Sequence, residues 1–202
     1  MVKNIRNIFI DLFGVLIGAD SSAVTHYVAT VTNNPYYLTH DVLYGDRIIK
    51  LDRHELNFRQ YFTDIQYALK NGEKLQYEPF KARWDGIGLS ELPPTGLLTN
   101  LNKKYNLFIL SNASNHTIRH LKSKFSFFED INGIVTSEDA GMMKPHSGIY
   151  KYAIRKFGVV PEQSAMIDDS PGNVKAAEYL GMTGHCYTSF ENFERFISEL
   201  NI

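Results

Sequence analysis

Four short stretches of the chain carry residues whose types and spacing suit phosphate chemistry. Asp11 follows the apolar run Ile8-Phe9-Ile10, and Ser111-Asn112 follows Leu107 to Leu110. Lys144 lies in Gly141-Met-Met-Lys-Pro145, and Asp168-Asp169-Ser170 closes an apolar run that begins at Ala165. A carboxylate can attack phosphorus and divide one displacement into two. Two anions repel, so such an attack needs a cation, and paired aspartates supply the hard oxygens that an octahedral Mg²⁺ takes. A serine hydroxyl, the amides that follow it and a lysine ammonium can hold the equatorial oxygens of a transferring group. Singly, each stretch has a plainer reading. Asp11 would be a turn or cap residue, Ser111-Asn112 and Asp168-Asp169 caps of the following helices, and Lys144 a solvated charge. Order and spacing together favour the chemical reading.

Bringing these groups together requires strands that end at a common edge. Ile8 to Ile10, Leu107 to Leu110, Gly133 to Val135, Ala165 to Asp168 and Gly184 to Tyr187 read as short buried strands. Between and after the later ones come helical patterns: the Leu97, Leu98, Leu101, Tyr105 stripe, Thr117 to Phe125, Ile149 to Phe157, Val174 to Leu180, and Phe190 to Leu200 behind a Ser189 cap. Such alternation predicts an α/β, doubly wound, Rossmann-like and mostly parallel sheet with helices on both faces. In that architecture ligands bind beyond the carboxyl ends of the strands, where all four stretches fall.

Residues 18–91 have a different, aromatic-rich helical texture. Asp52-Arg-His-Glu55 reads as an N-cap with a glutamate three residues on, ahead of a stripe at Phe58, Tyr61, Phe62, Ile65, Ala68 and Leu69 that stops at Asn71-Gly72. A second helix is expected from Glu78 to Trp84, and Leu92-Pro93-Pro94 reads as an extended linker. The expected organisation is a core of residues 1–17 and 92–202 interrupted by a helical insertion at 18–91.

Composition narrows the partners. The chain has 202 residues, 44% of them apolar, enough for one globular domain or for one that carries a smaller insertion. Lysine plus arginine total 21 and aspartate plus glutamate 22, a formal net charge of -1 that offers no field to a nucleic acid. The apolar stretch from Ile8 to Gly18 is interrupted by Asp11 and is far too short to span a bilayer, so no membrane role is expected. A single cysteine, Cys186, fits a reducing compartment and predicts a cytoplasmic protein.

Ile8-Phe-Ile-Asp11-Leu-Phe-Gly-Val-Leu16, Leu107-Phe-Ile-Leu-Ser111-Asn112, Gly141-Met-Met-Lys144-Pro-His-Ser-Gly-Ile-Tyr150 and Ile167-Asp168-Asp169-Ser-Pro-Gly-Asn173 resemble, in order, the four motifs of the haloacid dehalogenase superfamily. Ala176-Ala177-Glu-Tyr-Leu-Gly181-Met continues the fourth. The pattern is most similar to the branch that holds epoxide-hydrolase N-terminal phosphatases and sugar-phosphate phosphatases. The resemblance implies that Asp11 is the nucleophile, Ser111 with Asn112 binds phosphate, and Lys144 neutralises nucleophile and phosphate. It implies a Mg²⁺ site made by Asp11, the backbone carbonyl of Phe13, Asp169 as a direct ligand and Asp168 as an outer-shell one. Residues 18–91 become the helical cap, a roof that expels water and admits a small phosphorylated substrate. A homodimer is expected, with its interface left open.

The pattern breaks at Phe13, where family phosphatases usually carry a second aspartate that protonates the leaving group and then activates water. General acid-base help is worth about 10²- to 10⁴-fold, so its loss favours leaving groups that need little protonation: anomeric sugar, acyl and aryl phosphates. Two other readings use the same break. One is a non-catalytic member that binds a phosphorylated ligand or a partner protein. The other is a metal-independent 2-haloacid dehalogenase, against which Asp168 and Asp169 stand, since they would repel a carboxylate substrate. In the cap, Tyr44, Arg47, Arg59 and Trp84 could contact a sugar or aromatic group, or serve as core and solvated residues. His116 and His120 resemble an i, i+4 ligand pair without a third ligand, and His146 either borders the site or caps its helix. Cys186 reads as a small buried hydrophobe.

Overall fold

Among the residues described by the computed structural model, 4–52 and 55–200, the backbone forms seven strands. They are β1 (Asn7–Ile10), β2 (Ile17–Asp20), β3 (Gly88–Glu91), β4 (Asn106–Ser111), β5 (Gly133–Thr136), β6 (Ser164–Asp168) and β7 (Thr183–Cys186). Five form one sheet in the order β5-β4-β1-β6-β7, with every pairing parallel. β1 and β6 are buried along their whole length, as a sheet covered on both faces requires. The α/β, doubly wound class read from the alternation of strands and helices is the observed one.

Strand order decides where a site can form. From β1 the chain adds β4 and then β5 on one side, and returns with β6 to the other side of β1. The order therefore reverses at β1, and a crevice opens beyond the carboxyl end of a strand where successive connections diverge. Register makes this local: Ile10 pairs with Ile109 of β4 and with Ile167 of β6. The residues that follow, Asp11 and Asp168, are side by side, with Ser111 at the end of the neighbouring strand.

The chain separates into two compact units, Met1–Gly18 with Ser90–Ile202, and Ala19–Leu89. In the first, Phe9 and Phe108 belong to one buried core cluster and the partly buried Phe157 packs against it, with ring centroids 5.1 Å apart for Phe9 and Phe108 and 4.1 Å for Phe108 and Phe157. Gly133 permits this stack, because a Cβ there would stand 2.5 Å from the Phe157 ring. Around the sheet run the helices Asn115–Lys122, Ser147–Phe157, Pro171–Tyr179 and Phe190–Glu199. The last is capped by Ser189, whose hydroxyl accepts from the Asn192 N–H at 3.2 Å.

The second unit packs the helices Ser22–Thr32, Tyr36–Tyr44, Asp46–Asp52, Phe58–Ala68 and Tyr77–Asp85 around Tyr61, Phe62, Ile65 and Phe80. Trp84 stacks on Tyr44 and meets Phe58 and Tyr61. The buried Tyr61 hydroxyl donates to the Leu43 carbonyl at 2.7 Å. No helix among the described residues is long and apolar enough to cross a membrane.

Three local expectations are corrected. The capping box lies at Asn57 and Gln60, which exchange side-chain and backbone hydrogen bonds, whereas Asp52 ends the preceding helix. Arg53 and His54 of the expected cap lie outside the described residues. Pro93 and Pro94 open a 3₁₀ helix, Pro93–Leu97, in place of an extended linker, since a helix's first residues need no N–H and proline's fixed φ suits them. The helix after Ser111-Asn112 is capped by Ser114, and the helix after the aspartate pair has Ser170 at its N-cap.

Phe108 is central to the first unit's core and 6% exposed. Phe108→Ala should therefore cost about 3–5 kcal/mol, read as a lowered urea midpoint with unchanged slope.

Candidate active site

The parallel sheet delivers a carboxylate, Asp11, one residue beyond β1, with its backbone N–H donating to the Ile167 carbonyl at 2.8 Å. Asp11 is 8% exposed. Its Oδ1 accepts from the Leu12 N–H at 2.7 Å and from Lys144 Nζ at 2.8 Å. Both bonds fall on one oxygen, which leaves Oδ2 as the oxygen open to a ligand. Burial pushes the carboxyl up to about pH 6, with the Asp168 charge adding to the rise and Lys144 opposing it.

Lys144, 3% exposed, also reaches Asp168 Oδ2 at 2.6 Å. Burial works against its charge, but Asp11 and Asp168 more than offset this and hold the ammonium above the ordinary lysine range. Asp168 is fully buried, and its Oδ1 accepts from the Ser170 N–H and from Asn173 Nδ2, each at 2.9 Å. Tyr150 in turn donates its hydroxyl to the Asn173 carbonyl at 2.9 Å. Burial, then the Asp168 and Asp11 charges, keep that phenol protonated. A chain of contacts thus runs from Tyr150 through Asn173, Asp168 and Lys144 to Asp11. Both oxygens of Asp168 are engaged in it, so this residue's contact is with the lysine.

Asp169, the next residue, is exposed. Its carboxylate lies over Gly14, where a Cβ would stand 2.2 Å from Oδ2, and Gly14 has φ +84°. Partial burial and the neighbouring Asp168 charge raise its pKa. Carboxylate oxygens of Asp11, Asp168 and Asp169 come within 4.8 Å of one another. Three carboxylates against one ammonium leave an excess of negative charge in a half-buried pocket of hard oxygens. That donor set and charge fit a divalent cation such as Mg²⁺.

Ser111 is buried at the end of β4 and pairs in register with Thr136. Asn112 follows, and its carboxamide makes two hydrogen bonds to the backbone of Lys144. Phe13 is half-buried, in a tight turn where it bridges to Ile17 and Gly14 N–H donates to the Ile17 carbonyl. Asp11, Asn112, Lys144 and Asp168 are therefore joined by hydrogen bonds or ion pairs, with Ser111 on the strand end before Asn112 and a carboxylate oxygen of Asp169 within 4.8 Å of those of Asp11 and Asp168.

Other candidates lie in structural roles. His146 caps its helix, with Nδ1 accepting from the Gly148 N–H. Arg59 lies over the Tyr77 ring at 3.9 Å, and Tyr44 and Trp84 stack on each other. His116 and His120 are exposed, and the acidic trio is the metal-competent group found among the described residues. Gly14, Asn173 and Tyr150 escape a reading of the sequence by chemistry. Only the close glycine after Asp11 and the asparagine five residues after Asp168 hinted at them.

Comparison with known proteins adds a family model described as haloacid dehalogenase-like hydrolase, which matches residues 5–181. Flavin mononucleotide hydrolase 1 of Arabidopsis thaliana is 36% identical over 63 residues, 31% of this chain and 26% of that one. A glyceraldehyde 3-phosphate phosphatase of Methanocaldococcus jannaschii is 35% identical over 57 residues, 28% of this chain and 24% of its own length. The chain thus spans about a quarter of these curated relatives. A HAD family enzyme of Bacteroides thetaiotaomicron, solved with magnesium and inorganic phosphate, superposes with a TM-score of 0.70 at 22% identity, covering 95% of this chain and 98% of that one.

An aspartate in the unfolded chain ionises near pH 3.8, so above about pH 6 the folded protein carries Asp11 ionised at a cost. That cost fades as pH falls from about 6 towards 3.8. Asp11→Asn should therefore raise the Tm of the chelator-treated protein by several °C at pH 8, with Lys144 still paired to Asp168, and the gain should shrink towards pH 4. Thermal unfolding at a series of pH values checks both.

Proposed function

The chain belongs to the haloacid dehalogenase-like hydrolases, and from that premise we propose that it is a Mg²⁺-dependent phosphomonoesterase for small phosphorylated metabolites, with Asp11 as nucleophile. The observation that carries this reading is the asymmetry at Asp11, where Lys144 and the Leu12 N–H hold Oδ1 and leave Oδ2 for attack. Attack by an Oδ2 lone pair forms the aspartyl phosphate while the bond from phosphorus to the leaving oxygen breaks, and that oxygen takes a proton from solvent. Water then attacks the phosphorus, releasing inorganic phosphate and restoring the carboxylate.

Lys144, held between Asp11 and Asp168, sets positive charge against the nucleophile and the equatorial phosphate oxygens. The Ser111 hydroxyl and the Asn112 N–H would hold those oxygens from the other side. A Mg²⁺ ion taken by Asp11, Asp169 and the Phe13 carbonyl, with Asp168 behind them, would lessen the repulsion between two anions. The names of the curated relatives, a flavin mononucleotide hydrolase and a glyceraldehyde 3-phosphate phosphatase, support a small phosphorylated substrate. In this reading residues 18–91 act as the cap that selects it, and residues 1–17 and 92–202 as the catalytic core.

Phe13 offers no proton two residues after the nucleophile, which shapes the substrate preference. Aryl, acyl and anomeric phosphates should outpace simple alkyl phosphates by about 10²- to 10⁴-fold. Phosphate release from an aryl phosphate and a metabolite panel, with Mg²⁺ and with chelator, tests the whole. Release should require both Mg²⁺ and Asp11, with Asp11→Asn inactive. Phe13→Asp should raise alkyl phosphate turnover more than aryl. Equal rates on alkyl and aryl esters would show that Phe13 is not limiting. Mg²⁺ binding without turnover of any substrate would instead favour a binding role.

A further inference from the structure

Lys144 must hold its ammonium between two carboxylates from a segment with no regular structure. Residues 141–146 join the helices Ser137–Ala140 and Ser147–Phe157 without helix or strand, in a turn where the His146 N–H donates to the Met143 carbonyl at 2.8 Å but leaves the peptide groups of Lys144 unpaired within the segment. Buried peptide groups still require partners, and those of Lys144 find them in one side chain 32 residues earlier. The Lys144 N–H donates to Asn112 Oδ1 at 2.8 Å, and Asn112 Nδ2 donates to the Lys144 carbonyl at 3.0 Å. The amide orientation is forced, because only the oxygen can accept from the N–H and only the nitrogen can donate to the carbonyl.

We propose that Asn112 is a positioning residue, whose carboxamide fixes the backbone of Lys144 and thereby the place of its ammonium between Asp11 and Asp168. The proposal rests on the role assigned to Lys144 above. A lysine side chain has four rotatable bonds, and a cation that serves as a fixed electrostatic partner must be anchored at both ends. Asp11 and Asp168 anchor Nζ, and Asn112 anchors the main chain. Asparagine matches both needs with one planar group. Aspartate would oppose an oxygen to the Lys144 carbonyl, and serine, shorter and with a single oxygen to serve as both donor and acceptor, lacks asparagine's two separate atoms. Asn112 follows Ser111 directly, so the strand end that would hold phosphate also sets the lysine that faces it. With the carboxamide engaged, the backbone N–H is the part of Asn112 left to bind phosphate.

Three measurements on the full chain test this. Asn112→Ala should lower kcat for an aryl phosphate by about 10²-fold, the scale of a misplacement near 1 Å, while KM changes by less than about threefold. In a Lys144→Ala background the same substitution should cost less than about twofold, since its effect passes through the lysine. Independently of activity, Lys144 should acetylate severalfold faster with acetic anhydride in Asn112→Ala than in the wild type, read by mass spectrometry against the exposed Lys122 and Lys175. An equal loss of kcat in both backgrounds would overturn the proposal and make the carboxamide a direct ligand contact. Unchanged Lys144 labelling, or labelling that rises alike at all three lysines, would also overturn it. A wild type that releases no phosphate from any substrate, yet shows the selective rise at Lys144, would uphold the positioning role and remove the phosphatase reading.

Discussion

One buried ammonium organises the site. Lys144 Nζ stands 2.8 Å from Asp11 and 2.6 Å from Asp168, nearly out of reach of solvent, and sets one positive charge between two buried carboxylates. An ion pair in such a place is weak evidence of stability, because desolvation consumes most of the attraction. Asp11 follows this pattern: burial pushes its carboxyl up to about 6 although a lysine touches it. The arrangement stores an electrostatic cost at the carboxyl end of the sheet, where a phosphate and a divalent cation could use it.

Two features of the fold make that cost tolerable. Parallel register sets Asp11 and Asp168 side by side at the point where strand order reverses, so their separation is fixed by ladder hydrogen bonds instead of by loops. Below them lies a core of aromatic and aliphatic side chains, with Phe9, Phe108 and Phe157 in contact on the sheet. Burial of apolar area, about 25 cal/mol per Å², stabilises the unit that carries the charge set. Tyr150 belongs to both, since its ring lies in that core and its hydroxyl supports Asn173, which supports Asp168.

The two aspartates of the acidic pair do different work although they are adjacent. The chain leaves β6 at Asp168, so the strand ladder holds the first aspartate and the bend beyond it places the second. Asp168 turns inward to Lys144, Ser170 and Asn173, and Asp169 turns out over Gly14. A cation facing this edge would meet Asp169 and the open oxygen of Asp11, with Asp168 already spent on the lysine. The glycine is part of the same device, since any side chain there would strike the Asp169 carboxylate and would have to adopt φ +84°.

Much of this was legible in the chain itself. Alternating apolar runs and helical stripes specified the parallel sheet, because strand and helix periods differ and turn residues punctuate them. Residue type and order brought Asp11, Ser111, Lys144 and Asp168-Asp169 together as one chemical set. What sequence could not decide is partnership between groups far apart in the chain. Asn112 reads as a phosphate contact through the backbone amide that follows Ser111, and nothing in the sequence indicates that its carboxamide closes on Lys144, 32 residues later. Asp52-Glu55 fits a capping box as well as Asn57-Gln60 does, and the backbone chose the latter. Local pattern determines which elements form and which chemical groups they carry. Only the tertiary structure decides which hydrogen-bonding groups are buried together, and a buried polar group must take whatever partner the packing puts within reach.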